Sequence, residues 1–156
     1  MVYYLKDVYM SDEECLNEIN LDNQCCFALY AATRAVLKSL KPYLDTLGVT
    51  YPQYLVLLVL WESSPATVGH IAQRLFLDTG TITPLLKRMA ENGLITRERS
   101  TKDERIVYVH LTEKGWKLKE HAVNMPLNML NKETLTEERF YRLREELFSI
   151  IHILQE

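Results

Sequence analysis

The stretch from Ala66 to Thr112 changes its apolar period once, from 3.6 residues to 2, and that change limits the folds open to the chain. ATVGHIAQRLFLDTGTITPLLKRMAENG holds two amphipathic segments with almost nothing between them. Thr67 is placed to cap the first, whose inward face is Val68, Ile71, Ala72 and Leu75. Asp78 or Thr79 is placed to cap the second, which buries Ile82, Leu85, Leu86 and Met89 and ends at Gly93. Two short helices joined tightly predict a helix-turn-helix. After Gly93 the residues alternate: LITRERS reads as a strand with outward arginines, TKDER as a polar tip, and IVYVHLT as a return strand in which Val107, Val109 and Leu111 alternate with Ile106, Tyr108 and His110. A hairpin directly behind a helix-turn-helix is a wing, so the predicted fold is mainly α with a small β-hairpin (α+β), a winged helix-turn-helix over 51–112.

Helical segments flank this unit. From Asp22, Phe27, Leu29, Tyr30, Ala31, Val36, Leu37 and Leu40 make a broad apolar band; Asp22 or Asn23 is expected to cap its start and Pro42 to limit its end. Thr50 and Gln53 stand at capping-box spacing with Pro52 between, so YPQYLVLLVLWE is a second helix, apolar all round and therefore buried. Thr112 can cap EKGWKLKEHAVNMPLNMLNKE, which Pro126 kinks or divides. Thr136 can cap EERFYRLREELFSIIHILQ, whose Phe140, Leu143, Leu147, Ile150, Ile151 and Leu154 form one stripe in need of a partner. Such terminal helices around a DNA-binding unit predict a two-fold homodimer through 21–50 and 113–156, with 1–20 as an acidic arm or short helix.

The 156 residues suit one domain, so 21–156 is read as a single unit, and 47% hydrophobic content with 5 Gly and 5 Pro marks an ordered chain. TYPQYLVLLVLWESS stops after about ten apolar residues, short of a membrane span, and MVYYLKDVYMSDEE lacks the pattern of a signal peptide, which reads as cytoplasmic. Three cysteines without CxxC or Cys/His spacing argue against a disulfide framework and against zinc; no cofactor is implied. Charge is uneven within a net of -3: residues 1–24 carry one Lys against six Asp/Glu, and residues 67–112 carry seven Lys/Arg against five Asp/Glu. On the second helix of the pair, Gly80, Thr81, Thr83, Pro84, Lys87 and Arg88 face away from the core. With Thr79, they offer short polar groups and cations to a major groove, and Pro84 fits best in the first turn or marks a slight bend. Arg105 at the wing tip suits a minor groove, with Asp103 positioned to hold its guanidinium. Each residue alone is an ordinary solvated side chain; their consecutive order points to operator DNA.

LFLDTGTITPLLKRMAENGLITRERSTKDERIVYVHLTEKG resembles the winged-helix core of the MarR family of bacterial repressors. With LDNQCCFALYAATR and TYPQYLVLLVLWE the likeness extends over residues 21 to about 122 and narrows to the OhrR branch, which senses organic hydroperoxides. It implies an intertwined dimer and a DNA-binding repressor rather than an enzyme. The NQxCF context implies that Cys26 is the reactive thiol, with Cys25 in a place that is usually apolar. It also implies that Tyr30 and Tyr51 lie near the sulfur, while Leu40 stands where a further tyrosine is usual, which leaves the site one donor short unless Tyr43, about a turn away, substitutes. The residues agree with that location, because a sulfur in the first turns of a helix meets the positive end of the dipole. Two-cysteine members of that branch carry a resolving cysteine in the C-terminal helices, and this chain has none there, so the resemblance implies that oxidation ends in a mixed disulfide with a small cellular thiol, with Cys15 as the alternative resolving thiol. Two other readings stay open: a regulator that takes a small ligand in the dimer cleft, and a thiol peroxidase.

Overall fold

The computed structural model describes residues 20–123 and 136–155, which fall into two compact units, the first ending at Ser39 and the second beginning at Leu40. The readings made for Cys15, for the N-terminal arm and for Pro126 lie outside the described residues.

A short 3-10 turn, Leu21–Asn23, comes first; Asn20 caps it, its Oδ1 accepting from the Asp22 amide at 3.2 Å. Helix α1 then runs Cys25–Leu47. Neither expected boundary of this helix stands. Asp22 and Asn23 are spent in the 3-10 turn, so the α-helix starts two residues later. Pro42 lies inside the helix, because losing the one bond from its missing amide does not outweigh the buried leucines on either side, Leu40, Leu44 and Leu47. The helix stops at Gly48, whose φ of +66° is open to glycine at little cost; its amide bonds the Asp45 carbonyl and the Val49 amide bonds that of Leu44.

Within the second unit, α2 (Tyr51–Glu62) is the central helix, with Tyr54, Val56, Leu57, Val59, Leu60 and Trp61 all buried. Its start is set as the sequence predicts: the Thr50 amide donates to Gln53 Oε1 at 2.9 Å, with Pro52 in the first turn. A two-residue strand β1 (Ala66–Thr67), α3 (Val68–Arg74), α4 (Thr79–Glu91), β2 (Ile95–Arg99), β3 (Val107–Leu111), α5 (Glu113–Ala122) and α6 (Glu137–Gln155) complete the described elements. The three strands form one antiparallel sheet in the order β1-β3-β2, with Ala66 opposite Val109, Ile95 opposite Leu111 and Arg99 opposite Val107. The hairpin is thus as the alternation predicts, widened by a third strand. Leu57, Leu60, Ile71, Ile82, Leu86, Met89, Ile95 and Val109 are fully buried, so α2, both helices of the pair and the base of the wing share one core.

Two long-range contacts hold α5 to this core. Trp61 Nε1 donates to the Gly115 carbonyl at 3.0 Å, and Thr112 Oγ1 accepts from the Gly115 amide at 3.1 Å while donating to the Gly93 carbonyl at 2.7 Å. The approach at Gly115 is so close that a β-carbon there would collide with the Leu94 carbonyl and the Leu111 side chain. Helix α6 buries none of its residues; Phe140, Leu143, Ile150 and Leu154 of its apolar stripe are exposed, as is Phe148 beside it. No helix among the described residues is long and apolar enough to cross a membrane.

Candidate nucleic-acid interface and thiol site

The candidate reading helix is α4. Asp78 caps it: Oδ1 accepts from the Thr81 amide at 2.8 Å and Oδ2 from the Thr81 hydroxyl at 2.7 Å. Those bonds, the Thr81 hydroxyl first and its amide next, hold the Asp78 carboxyl below its ordinary value near 3.8. Gly80 is tied to this cap, since a β-carbon there would stand 2.9 Å from Asp78 Oδ1. The core side of α4 carries Ile82, Leu86 and Met89, so Thr79, Thr81, Thr83, Lys87 and Arg88 are all exposed, on the side predicted. Pro84 is the sixth residue of the helix, past the first turn, so of its two expected placements the first does not hold; Thr83 Oγ1 bonds the Thr79 carbonyl at 2.6 Å just before it. Among the described residues Lys87 makes only a long contact, 3.9 Å, to Glu91. Between α3 and α4, Phe76 takes a φ of +54°, a conformation that a bulky residue rarely adopts, and its ring centroid lies 6.5 Å from that of Phe148 on α6. No periodicity in the sequence marks that residue.

In the wing, the loop from Ser100 to Arg105 closes on itself. Ser100 Oγ accepts from the amides of Lys102 and Asp103 at 3.2 and 3.3 Å, and the Ser100 amide donates to the Ile106 carbonyl at 2.9 Å. Asp103 does not hold the Arg105 guanidinium as anticipated. Its Oδ1 takes the Arg105 backbone amide at 3.0 Å, the partner that an aspartate two residues earlier in a tight turn reaches most easily. The Arg105 guanidinium therefore has no ion pair among the described residues, and Arg97 and Arg99 are exposed along β2.

Cys25 and Cys26 are the first two residues of α1, and both are free and exposed, Cys25 included although the resemblance puts it in a place that is usually apolar. Tyr30 stands one turn beyond Cys26 in the same unit and is 57% exposed. Arg34 Nη1 donates to its hydroxyl at 3.0 Å, and the guanidinium lies 5.5 Å from its ring centroid. Tyr51 belongs to the second unit, half-buried at the start of α2, with its ring centroid 6.4 Å from that of Tyr54. Burial, and then the neighbouring Tyr51, push the Tyr54 phenol above its ordinary value. Leu40 is buried, 4% exposed, in the core, and Tyr43 is 38% exposed. Among the described residues no cluster of His, Cys, Asp and Glu is suited to hold a metal ion.

Comparison with known proteins agrees with this architecture. A family model described as transcriptional regulator SarA/Rot matches residues 38–122. The organic hydroperoxide resistance transcriptional regulator of Bacillus subtilis is 46% identical over 144 residues, covering 92% of this chain and 98% of that protein. Among solved structures, reduced AbfR bound to DNA superposes with a TM-score of 0.74 at 32% identity, covering 90% of this chain and 99% of the other. Overoxidized AbfR bound to DNA superposes with 0.73 at 33%, covering 89% and 98%; AbfR is a Staphylococcus epidermidis protein. With a winged helix-turn-helix in place and close to half of its residues shared with the Bacillus regulator over nearly the full length of both, this chain belongs to the MarR-like family of transcriptional regulators, alongside the organic hydroperoxide resistance regulator.

Proposed function

We propose that this protein is a DNA-binding transcriptional repressor that senses organic hydroperoxides through Cys26 and releases its operator when that sulfur is oxidised. The observation that carries the reading is the placement of Cys26, exposed in the first turn of a long helix, in a chain whose second unit is built as a winged DNA reader. In the reduced homodimer, two copies of α4 enter successive major grooves of a pseudo-palindromic operator about one helical turn, roughly 34 Å, apart. Lys87, Arg88 and Arg105 supply phosphate or groove contacts, while Thr79, Thr81 and Thr83 face the bases. Asp103 shapes the wing that delivers Arg105.

The chemistry balances in two steps. The Cys26 thiolate attacks the terminal oxygen of the hydroperoxide, the O–O bond breaks, and an alcohol leaves once the alkoxide takes a proton, with sulfur oxidised to sulfenic acid. A small cellular thiol then attacks that sulfur, a mixed disulfide forms and water leaves. Tyr30 and Tyr51 are assigned to hydrogen-bond the sulfur or its oxygen, and Cys15 is the alternative resolving thiol. The relative AbfR holds DNA in both reduced and overoxidized forms, so added oxygen does not by itself prevent binding there. We therefore assign release in this protein to the bulk of the mixed disulfide, which displaces packed helices at the dimer and so misplaces both readers. A differential affinity of about 3 kcal/mol gives more than a hundredfold change.

The test is operator binding with and without cumene hydroperoxide plus a small thiol, on the native protein and on Cys26→Ser. The native protein is expected to lose affinity about a hundredfold and the variant to keep it. Equal release of both would remove Cys26 from the mechanism.

A further inference from the structure

On the exposed face of α4, Thr79 opens the helix with a hydroxyl free to donate among the described residues, whereas the two threonines that follow it have their protons directed to partners on the helix itself. A threonine hydroxyl owns one proton and two lone pairs. In Thr81 that proton is directed to Asp78 Oδ2, 2.7 Å away, and in Thr83 to the Thr79 carbonyl, 2.6 Å away. Both directions are fixed, since a carbonyl and an ionised carboxylate only accept. Gly80 and Pro84, which lie between these two threonines around the helix, have no side-chain donor either. Thr83 is exposed with its hydroxyl proton turned back to the helix, so what it has left to offer a base is an accepting oxygen and its γ-methyl group, and no donor.

Guanine shows a major groove two acceptors, which need a donor; thymine shows a C5-methyl, which needs an apolar contact. We propose that Thr83 is a specificity-determining residue that selects thymine by contact between its γ-methyl and the thymine C5-methyl, with Thr81 acting alike through its own methyl. Recognition of guanine falls to the donors that remain, the Thr79 hydroxyl at the start of the helix and Lys87 and Arg88 further along it. This rests on the reading that α4 enters the major groove.

The experiment uses a duplex selected by the native protein from a random pool at fixed salt, and the same duplex with uracil replacing thymine one position at a time. Binding is measured for the native protein, Thr83→Val, Thr83→Ser and Thr81→Ser, with circular dichroism confirming that each is folded, and with Arg88→Ala as control. Thr83→Val keeps the methyl and is expected to bind within about twofold of native, whereas Thr83→Ser loses about fourfold in each half-site. At one symmetric thymine pair, uracil is expected to weaken the native protein by a similar factor and to leave Thr83→Ser unchanged, because the contact is already gone. A comparable loss at a second thymine pair is expected for Thr81→Ser. A folded Thr83→Val that binds as poorly as Thr83→Ser would show that the hydroxyl is read, and uracil and serine losses that multiply would separate Thr83 from thymine; either result overturns the proposal. Full binding by Arg88→Ala together with indifference to every Thr83 change would overturn the placement of α4 in the groove as well, which tells the two failures apart.

Discussion

Single side chains divide here into those that hold a shape and those left available for chemistry. Leu40 is of the first kind. It stands where the family resemblance leads one to look for a tyrosine, yet it is 4% exposed within the core. Leu40→Ala is expected to lower stability by about 2–5 kcal/mol in denaturant unfolding, the range for a leucine truncated in a packed core. A loss under about 0.5 kcal/mol would mean that the site is looser than its burial indicates. Asp78 is of the first kind too. Its carboxyl is held below its ordinary value near 3.8 by the Thr81 hydroxyl and amide, so the ionised form stabilises the folded state above that pH. The contribution is lost as pH falls through the lowered folded value. Native protein should therefore lose stability more steeply than Asp78→Asn as pH drops below 3.8, and parallel acid limbs in thermal unfolding would contradict the linkage. Cys26 is of the second kind: exposed, unpaired and in a first turn, it has the access that a sensing thiol needs.

Elements were legible in the sequence wherever their signals were local. The start of α2 followed from Thr50, Pro52 and Gln53, the caps of α3 and α4 from Thr67 and Asp78, and the wing from alternation in IVYVHLT. What escaped depends on partners distant in sequence. Strand β1 is two residues long and exists only by pairing with β3 some forty residues later, too short to carry a period. Pro42 signalled a helix end that tertiary burial of Leu44 and Leu47 overrode. In the candidate site, the sequence placed the α4 residues on the correct face but not the direction of their hydroxyl bonds, and it paired Asp103 with the wrong group of Arg105. Two substitutions test the element scale. Thr67→Ala removes the hydroxyl that accepts from the His70 amide at 3.1 Å and should cost about 1 kcal/mol by urea unfolding. Gly115→Ala drives a methyl into the Leu94 carbonyl and should cost about 1–3 kcal/mol, with the Trp61 indole fluorescence shifting as its bond to residue 115 is disturbed. A Gly115→Ala protein of native stability and spectrum would refute the close contact.

At the scale of the whole molecule, the apolar surface left uncovered is concentrated on helices outside the winged core. Leu29, Tyr30 and Val36 on α1 and Phe140, Leu143, Ile150 and Leu154 on α6 are exposed in the single chain. The homodimer we propose buries such surfaces, and it links the thiol to the reading helices because changes at the dimer helices alter the separation of the two copies of α4. Cation contacts add a second whole-complex quantity. Arg105→Ala should bring the slope of log affinity against log salt nearer zero by about two for the dimer, one phosphate equivalent per subunit.

The most direct measurement of the central claim is a titration of the native dimer on its operator with cumene hydroperoxide and a small thiol, with mass spectrometry of the same samples. Loss of DNA binding is expected to rise in step with a thiol adduct on Cys26. Adduct formation at Cys26 with DNA still held, or release while Cys26 remains a free thiol, would contradict it.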